Sequence, residues 1–219
     1  MINKRLKTKI IGIRGTWKDI YRACLNTIGK ETDREPTSEW KRKILLSEHS
    51  PIRKLGIQAK WYNIWYWVST HFVRHKFGIE HFISTQRVDR TKENRNEKPQ
   101  ASEVDHEIDV NSQSIINISR KRLCFCASPE TREAWQDFLN ELKEHEPELV
   151  GVCVKECVYR GFCPEFYSCG YVNTSYEKFR EEIEEYRKNV NGYGSMEQRE
   201  KEIEFLNKKL NKEDAENAR

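Results

Sequence analysis

The chain has 219 residues, enough for one well-packed domain with an additional arm. Its 39 basic and 35 acidic residues leave a net charge of only +4, so composition does not predict a nucleic-acid polymer as a partner. The beginning of the chain has positive charges but lacks the apolar stretch of a signal peptide, and no apolar run is long enough to span a membrane. We therefore expect a cytoplasmic protein with no membrane partner.

The spacing of apolar residues in the first third of the chain predicts alternating strands and helices. Alternation of apolar and polar residues indicates half-buried strands, and recurrence every three or four residues indicates helices. Asparagine, serine and threonine are favoured at helix N-caps. The predicted order is a strand at 7–15, a helix at 16–29, a helix capped by Thr37 or Ser38, a strand at 55–61 and a helix capped by Asn63 that ends near residue 73.

The remainder of the chain predicts a long loop and then helices only. Residues 85–108 are polar and predict a loop, which at this length is often functional. Helices are expected from about Val110 and from Pro129, since proline suits a first helical turn. After residue 171 the stretches 175–188 and 197–210 are charged, with a thin apolar stripe in the first, and predict a solvated arm or a helix that pairs with another subunit.

A basic cluster stands at the end of the helix predicted to follow Asn63. Arg74, His75 and Lys76 are adjacent, and Ser84 follows after seven intervening residues. Neighbouring cationic side chains repel one another unless they converge on an anion, such as the phosphates of a nucleotide cofactor. This spacing resembles the signature R-H-R, seven residues, Ser of flavin-dependent thymidylate synthases, with lysine in place of the last arginine.

Two further segments carry the same resemblance. NSQSIINISRKRLCFCASPETR resembles the family pattern N-A-R-S-x-x-N-x-x-x-x-R followed by a turn and A-Q-x-E-I-R, so that Asn111, Asn117 and Arg122 fall on its asparagines and arginine. CVYRGFCPEFYSCG is similar to the cysteine-rich tail of some clostridial, archaeal and phage members. The resemblance spans roughly residues 10–171.

The resemblance implies a fold, a reaction and an assembly. The fold would be α+β, with a central antiparallel or mixed sheet flanked by helices. Residues 1–171 would form the synthase-like domain and 172–219 a charged helical extension. The activity would be reductive methylation of dUMP to dTMP with FAD as cofactor and NADPH and methylenetetrahydrofolate as co-substrates. The enzyme would be a homotetramer with active sites built from several subunits, in a bacterium or a phage-infected host cell.

The resemblance also implies roles for nine side chains, and Arg90, in the polar loop predicted for 85–108, is a tenth candidate that no position of the family pattern supports. The catalytic residue would be Arg122, a fixed guanidinium beside the pyrimidine that stabilises developing charge. Five residues would contact the flavin cofactor and five the substrate, with Arg122 counted among the latter. The cofactor residues are Arg74, His75, Lys76, Asn111 and Asn117, and the substrate residues are His71, Ser84, Arg87, Arg90 and Arg122.

Departures from the family pattern leave two other functions open. Lys76 stands for an arginine, and His71 stands where the family often has glutamine, so the enzyme could make another 5-substituted product such as hydroxymethyl-dUMP. Alternatively, the chain could be a non-catalytic nucleotide-binding or zinc-stabilised module. The cysteines do not form the paired C-x-x-C knuckles of structural zinc sites, so we expect free thiols and no metal. The thiols considered are Cys153, Cys157, Cys163, Cys169, Cys124 and Cys126.

Overall fold

The computed structural model describes residues 5–188. Four strands and ten helices follow one another in this range, together with two 3₁₀ turns. The strands are β1 (Lys7–Arg14), β2 (Gly56–Trp65), β3 (Ile79–Ile83) and β4 (Glu103–Asn111), and the 3₁₀ turns are Ser50–Lys54 and Arg95–Glu97. The helices are α1 (Trp17–Asn26), α2 (Ser38–Leu46), α3 (Tyr66–Phe72), α4 (Val88–Thr91), α5 (Ser112–Arg122), α6 (Pro129–Lys143), α7 (Pro147–Gly151), α8 (Glu156–Arg160), α9 (Tyr171–Thr174) and α10 (Tyr176–Lys188).

The four strands form one sheet in the order β1-β2-β4-β3, and every neighbouring pair is antiparallel. Helices cover one side of the sheet, so the predicted α+β class with a central sheet flanked by helices is confirmed. Of the two sheet types left open by the sequence, the structure has the antiparallel one.

The buried side of the sheet is set by alternation along residues 57–61 of β2 and along β4. In β2, Ile57, Ala59 and Trp61 are buried, and the residues between them face the more open side. Helix α6 packs against this buried face: the Trp61 indole donates a hydrogen bond to the Ala134 carbonyl at 3.0 Å. The Trp61 ring also stacks on Phe72 of α3, with ring centroids 4.8 Å apart. The core therefore lies between the sheet and helices α3 and α6.

The helix predicted to start at Asn63 starts three residues later. Strand β2 continues to Trp65, and Asn63 sits within it at a φ of 57°, where the register with β4 shifts. Asparagine is one of the few residues that tolerates a left-handed backbone conformation, so it suits an irregular point in a strand as well as a helix cap. Because asparagine suits both settings, the predicted boundary between strand β2 and helix α3 was wrong.

The loop predicted for residues 85–108 is also partly wrong. Its last six residues belong to β4, which extends to Asn111, so the next helix begins at Ser112 rather than near Val110. The alternating residues of β4 explain the error, because four of them are fully buried while acidic residues occupy the other face and dominate the composition. The buried members are Val104, His106, Ile108 and Val110.

Helix α10 confirms the helical prediction for 175–188 and adds a packing partner. Phe179 and Ile183 are buried against Cys157, Val158 and Tyr171 in a second, smaller apolar cluster. The predicted division of the chain at residue 171 stays a prediction. The charged stretch 197–210 lies outside the described residues. Within 5–188, no helix is both long enough and apolar enough to cross a membrane.

Candidate active site

The ends of α3 and α5 meet at Arg122, the last residue of α5. The Arg122 Nε–H donates to Nε2 of His75 at 2.8 Å, and its Nη2 donates to the backbone carbonyl of His71 at 2.7 Å. That carbonyl belongs to the last turn of α3, where backbone oxygens lack intrahelical partners and the helix dipole favours a cation. The structure therefore brings His71, His75 and Arg122 together, and their roles in a site stay a prediction.

His75 is a neutral acceptor in this arrangement rather than a third cation. Its Nε2 receives the Arg122 hydrogen bond and so cannot carry a proton. Burial, followed by the nearby Arg122 guanidinium and His81, lowers the pKa of His75 to about 4. At neutral pH the imidazole thus holds the arginine by accepting a hydrogen bond, and the positive charge of the cluster lies on the arginines and lysine.

A chain of hydrogen bonds connects this site to the core. His81 Nε2 lies 3.0 Å from the His75 carbonyl, His81 Nδ1 lies 2.9 Å from Nε2 of His106, and His106 Nδ1 lies 2.9 Å from the Ser69 hydroxyl. A carbonyl only accepts, so His81 Nε2 carries hydrogen, and the neutral tautomers of the rest follow in order. Ser69 donates to His106, which donates to His81, which donates to the His75 carbonyl.

His106 is fully buried, and burial followed by His81 lowers its pKa to about 3. His106 is therefore neutral at physiological pH, and each member of the hydrogen-bond chain has a partner. It fixes the backbone of His75 and with it the imidazole that holds Arg122.

The N-terminus of α6 completes the wall beside His71. His71 Nδ1 lies 3.0 Å from the hydroxyl of Thr131, which is fully buried and lies 2.8 Å from the hydroxyl of the N-cap residue Ser128. Burial, then the Arg122 and Arg74 charges, lower the pKa of His71. His71 is thus another neutral group that positions the site.

Arg74 and Lys76 are the exposed cations of the cluster. Neither forms an ion pair with any residue of the described chain, and the same holds for Arg122. Burial, followed by repulsion from Arg74, lowers the pKa of the Arg122 guanidinium. Two positive side chains from different elements are thus held near each other without a protein carboxylate, which is the arrangement expected of an anion-binding site.

The two asparagines of α5 occupy different surroundings. Asn111 is the N-cap of the helix: its Oδ1 accepts from the Ser114 amide at 2.9 Å, and its amide group lies over Gly78, where a φ of 67° and the lack of space for a Cβ both require glycine. Asn117 is exposed and accepts from Arg120 at 3.3 Å. Asn111 is therefore near the connector that carries Lys76, and Asn117 belongs to a separate polar group around Arg120.

Ser84, Arg87 and Arg90 lie at the other end of β3 from the basic cluster. The five-residue strand, at about 3.3 Å per residue, separates the two groups by roughly 15 Å. Ser84 Oγ accepts from the Asp105 amide at 3.0 Å, and Arg87 forms a two-point ion pair with Asp89 at 3.0 and 2.8 Å. A single chain thus does not bring all ten predicted side chains together.

Three residues of the site were missed in the sequence. His81, His106 and Ser69 had no motif to mark them, and His106 fell within the stretch interpreted as a loop. The strand register is what makes His81 and His106 diagonal neighbours, since His81 stands opposite Ile108. The sequence carried one signal for these residues, the alternation of apolar and polar residues in β4. This alternation places His106 on the face of the strand that packs against the core.

An open cleft of about 930 Å³ lies on another side of α6, lined among others by Phe125, Arg132, Lys155, Glu182 and Tyr186. None of the ten predicted site residues lines it. Among residues 5–188, no three His, Cys, Asp or Glu side chains are grouped so as to hold a metal ion.

Comparison with solved structures shows that the chain has a known fold. The chain is similar to the flavin-dependent thymidylate synthase ThyX of Helicobacter pylori, whose crystal structure is a complex with FAD and dUMP. The TM-score is 0.54, and the alignment covers 68% of this chain and 100% of that one. The two chains share a fold. Sequence identity is 12%, so the likeness is one of fold alone.

Comparison of sequences gives no corresponding match. No protein-family model matches the chain, and no curated protein matches it.

Proposed function

We propose that this protein is a flavin-dependent thymidylate synthase that reductively methylates dUMP to dTMP. One observation carries the proposal: Arg122 is fixed by His75 and His71 and lies near enough to Arg74 for that charge to lower its pKa, with no carboxylate of the described residues paired to either guanidinium, on a fold shared with an enzyme crystallised with FAD and dUMP. NADPH and methylenetetrahydrofolate are proposed as co-substrates, and a homotetramer as the active assembly.

The residues beside Arg122 suit a flavin nucleotide in their charge and in an exposed aromatic ring. Arg74 and Lys76 supply positive charge for phosphates, and the adjacent Phe77 ring is 92% exposed, as expected for a side chain that a planar ligand or a second chain covers. FAD, when bound, supplies hydride transfer from NADPH to the nucleotide. The chain itself contributes the charged and aromatic groups that bind and orient both molecules.

Arg122 is the residue proposed to act on the pyrimidine. Two of its five N–H groups are used by His75 and His71, which leaves three without a partner in the described chain. Because the guanidinium remains protonated and is half-buried, its charge acts on a neighbouring carbonyl more strongly than it would in water. Arg122 would therefore stabilise negative charge that develops on the pyrimidine oxygen.

His75 positions Arg122 rather than reacting with substrate. The imidazole accepts from Nε, so among the terminal nitrogens only one N–H of Nη2 is used, by the His71 carbonyl, and the His75 backbone is held by His81. A guanidinium restrained in this way loses less conformational freedom when a nucleotide binds.

Replacement of Arg122 tests the proposal. With FAD, NADPH, methylenetetrahydrofolate and dUMP present, Arg122→Ala should lower the rate of dUMP consumption on the order of 100-fold or more, because a preorganised donor to the developing charge is lost. Arg122→Lys should recover only part of the rate, because an ammonium keeps the charge without the planar fork. The bound-flavin absorption spectrum should persist in both variants.

Arg132→Ala is the matched control. Arg132 also donates to backbone carbonyls, those of Phe125 and Ala127, but lines the separate cleft. The control should lose stability to a similar extent and keep most of its rate. Equal rates in the Arg122→Ala variant and the control would refute the role of Arg122.

A further inference from the structure

A group of thiols gathers where the turn between α5 and α6 meets the loop before α9. The Cys126 Sγ lies 3.6 Å from the Tyr167 carbonyl oxygen, and the Phe125 ring packs against Tyr171 with centroids 4.8 Å apart. Cys124 and Cys126 flank Phe125, and Cys169 lies midway between the two tyrosines in sequence. These two contacts place the segment 167–171, which contains Cys169, against the turn that contains Cys126.

The thiols are close enough to influence each other. Partial desolvation, followed by the neighbouring Cys124 and Cys169 thiols, raises the pKa of Cys126 to about 12. Cys126 and Cys169 are exposed, whereas Cys124 is buried, and all three are free thiols. Among these three, the pair Cys126 and Cys169 is thus both adjacent and open to a reagent from solvent.

Apart from an ion pair between Lys121 and Glu165 at 2.9 Å, the segment around Cys169 has few contacts that hold it. Residues 161–170 contain no helix or strand, and Phe166 and Tyr167 are 91% and 83% exposed. The apolar cluster beneath the segment has only five buried residues, among them Cys157, Tyr171 and Phe179. A covalent link from Cys169 to the α5–α6 turn would close a loop of 44 residues, counted from 126 to 169, and restrict the unfolded chain.

We propose that Cys126 and Cys169 form a disulfide on reaction with a low-molecular-weight disulfide such as oxidised glutathione. The Cys169 thiolate attacks one glutathione sulfur, which releases one glutathione thiolate and leaves a mixed disulfide on Cys169. Cys126 then loses its proton to solvent and attacks the Cys169 sulfur, which releases the second glutathione. In total, two protein thiols are oxidised by two electrons and one glutathione disulfide is reduced to two thiols.

The proposed disulfide would also restrain the C-terminal end of helix α5. Cys126 lies four residues after Arg122, in the turn that leaves the C-terminus of α5. The disulfide would tie this turn to the loop and reduce opening of the end of α5. The inference rests on the thiol geometry and does not depend on the proposed reaction.

The test is disulfide mapping of the full chain. The protein is incubated with oxidised glutathione, its remaining thiols are alkylated, and the digest is analysed by mass spectrometry. We expect one peptide pair joined through Cys126 and Cys169, lighter than the two separate thiol peptides by two hydrogen atoms. Because the pKa of Cys126 is raised, the joined peptide should form faster at pH 9 than at pH 7.

Single serine variants provide the controls. Cys126→Ser and Cys169→Ser should each abolish the joined peptide, whereas Cys24→Ser, which changes a half-buried thiol of α1, should leave its yield unchanged. The proposal is overturned if Cys126 pairs with Cys124 instead, or if Cys169 stops at the mixed disulfide. It is also overturned if the purified protein holds stoichiometric zinc that Cys126→Ser releases.

Discussion

At the scale of single residues, Arg122 illustrates how a structural contact and a chemical role coincide. Its guanidinium satisfies the carbonyl of His71 at the end of α3 and receives its orientation from His75. Both contacts use neutral partners, so the positive charge remains available to a ligand. The lowered pKa values of His71 and His75 follow from burial beside the same guanidinium.

The buried histidines predict a specific pH dependence of stability. The pKa of His75 is lowered to about 4 and that of His106 to about 3, whereas an unfolded histidine titrates near 6.5. Between these values the unfolded chain binds more protons than the folded protein, so the free energy of unfolding should fall as pH decreases from about 6.5 towards 4. His106→Gln should flatten this decrease, as measured by thermal melting at pH 7 and pH 4.5.

The comparison needs a histidine that folding does not bury. His49 is exposed, and His49→Gln should melt with the same pH dependence as the unmodified protein. If His106→Gln and His49→Gln lose the same stability between the two pH values, buried His106 is not a source of the acid sensitivity.

Sequence predicted the charged residues of the site better than the neutral ones. Arg74 and Arg122 stand at motif spacings, and the structure places Arg74 two residues after the end of α3 and Arg122 at the end of α5. The contacts of His81 with His106 depend on strand register, which sequence spacing does not contain. The hydrogen-bond chain behind the site could therefore be read only from the fold.

At the scale of secondary-structure elements, Asn111 has two separable tasks. Its Oδ1 caps α5, and its amide group remains for the proposed contact with the flavin. Asn111→Ala should lower the free energy of unfolding by about 1 kcal/mol through loss of the cap. Asn111→Asp keeps the capping oxygen but loses the amide donor, so it should keep stability and weaken FAD binding.

Urea unfolding and flavin titration of the two variants distinguish these tasks. FAD affinity that is unchanged in Asn111→Asp would show that the side chain serves only as a cap. Equal destabilisation of both variants would show that the amide group over Gly78, rather than the capping oxygen, stabilises α5.

Elements with a continuous apolar stripe were predictable, and those with mixed composition were not. Helix α6 begins at Pro129 as expected, because its proline and its buried Trp135, Phe138 and Leu142 give unambiguous signals. Strand β4 carries acidic residues on its open face and was interpreted as part of a loop. The short β3 received no prediction, since its five residues include exposed Glu80 and Phe82.

At the scale of the whole molecule, the separation along β3 bears on assembly. Arg122 lies near one end of the strand, whereas Ser84 and Arg87 lie beyond the other, roughly 15 Å away by strand geometry. If all of them serve one nucleotide site, that site must combine residues from more than one copy of the chain. This supports the proposal of a homo-oligomer.

Mixing two inactive variants tests shared sites. Arg122→Ala and Arg87→Ala should each be inactive alone, because each lacks one part of the proposed site. When they are mixed under conditions that exchange subunits, random pairing should restore up to about one quarter of the sites. A mixture as inactive as its components, despite exchange, would mean that Arg87 and Arg122 do not share a site across chains.

The α+β class and its central sheet were predictable because the resemblance of short motifs implied them, and the shared fold agrees with that prediction. At 12% identity most of the chain has diverged from the Helicobacter pylori structure, so the fold alone does not establish the reaction. The chemistry therefore has to be measured on this protein.

The most direct measurement is the mass of the nucleotide after the purified protein is incubated with FAD, NADPH, methylenetetrahydrofolate and dUMP. The proposed function predicts a gain corresponding to one methyl group in place of hydrogen, and the Arg122→Ala variant should give none. A gain corresponding to a hydroxymethyl group would assign a different product to the same site. Unchanged dUMP with the complete mixture would contradict the proposed function.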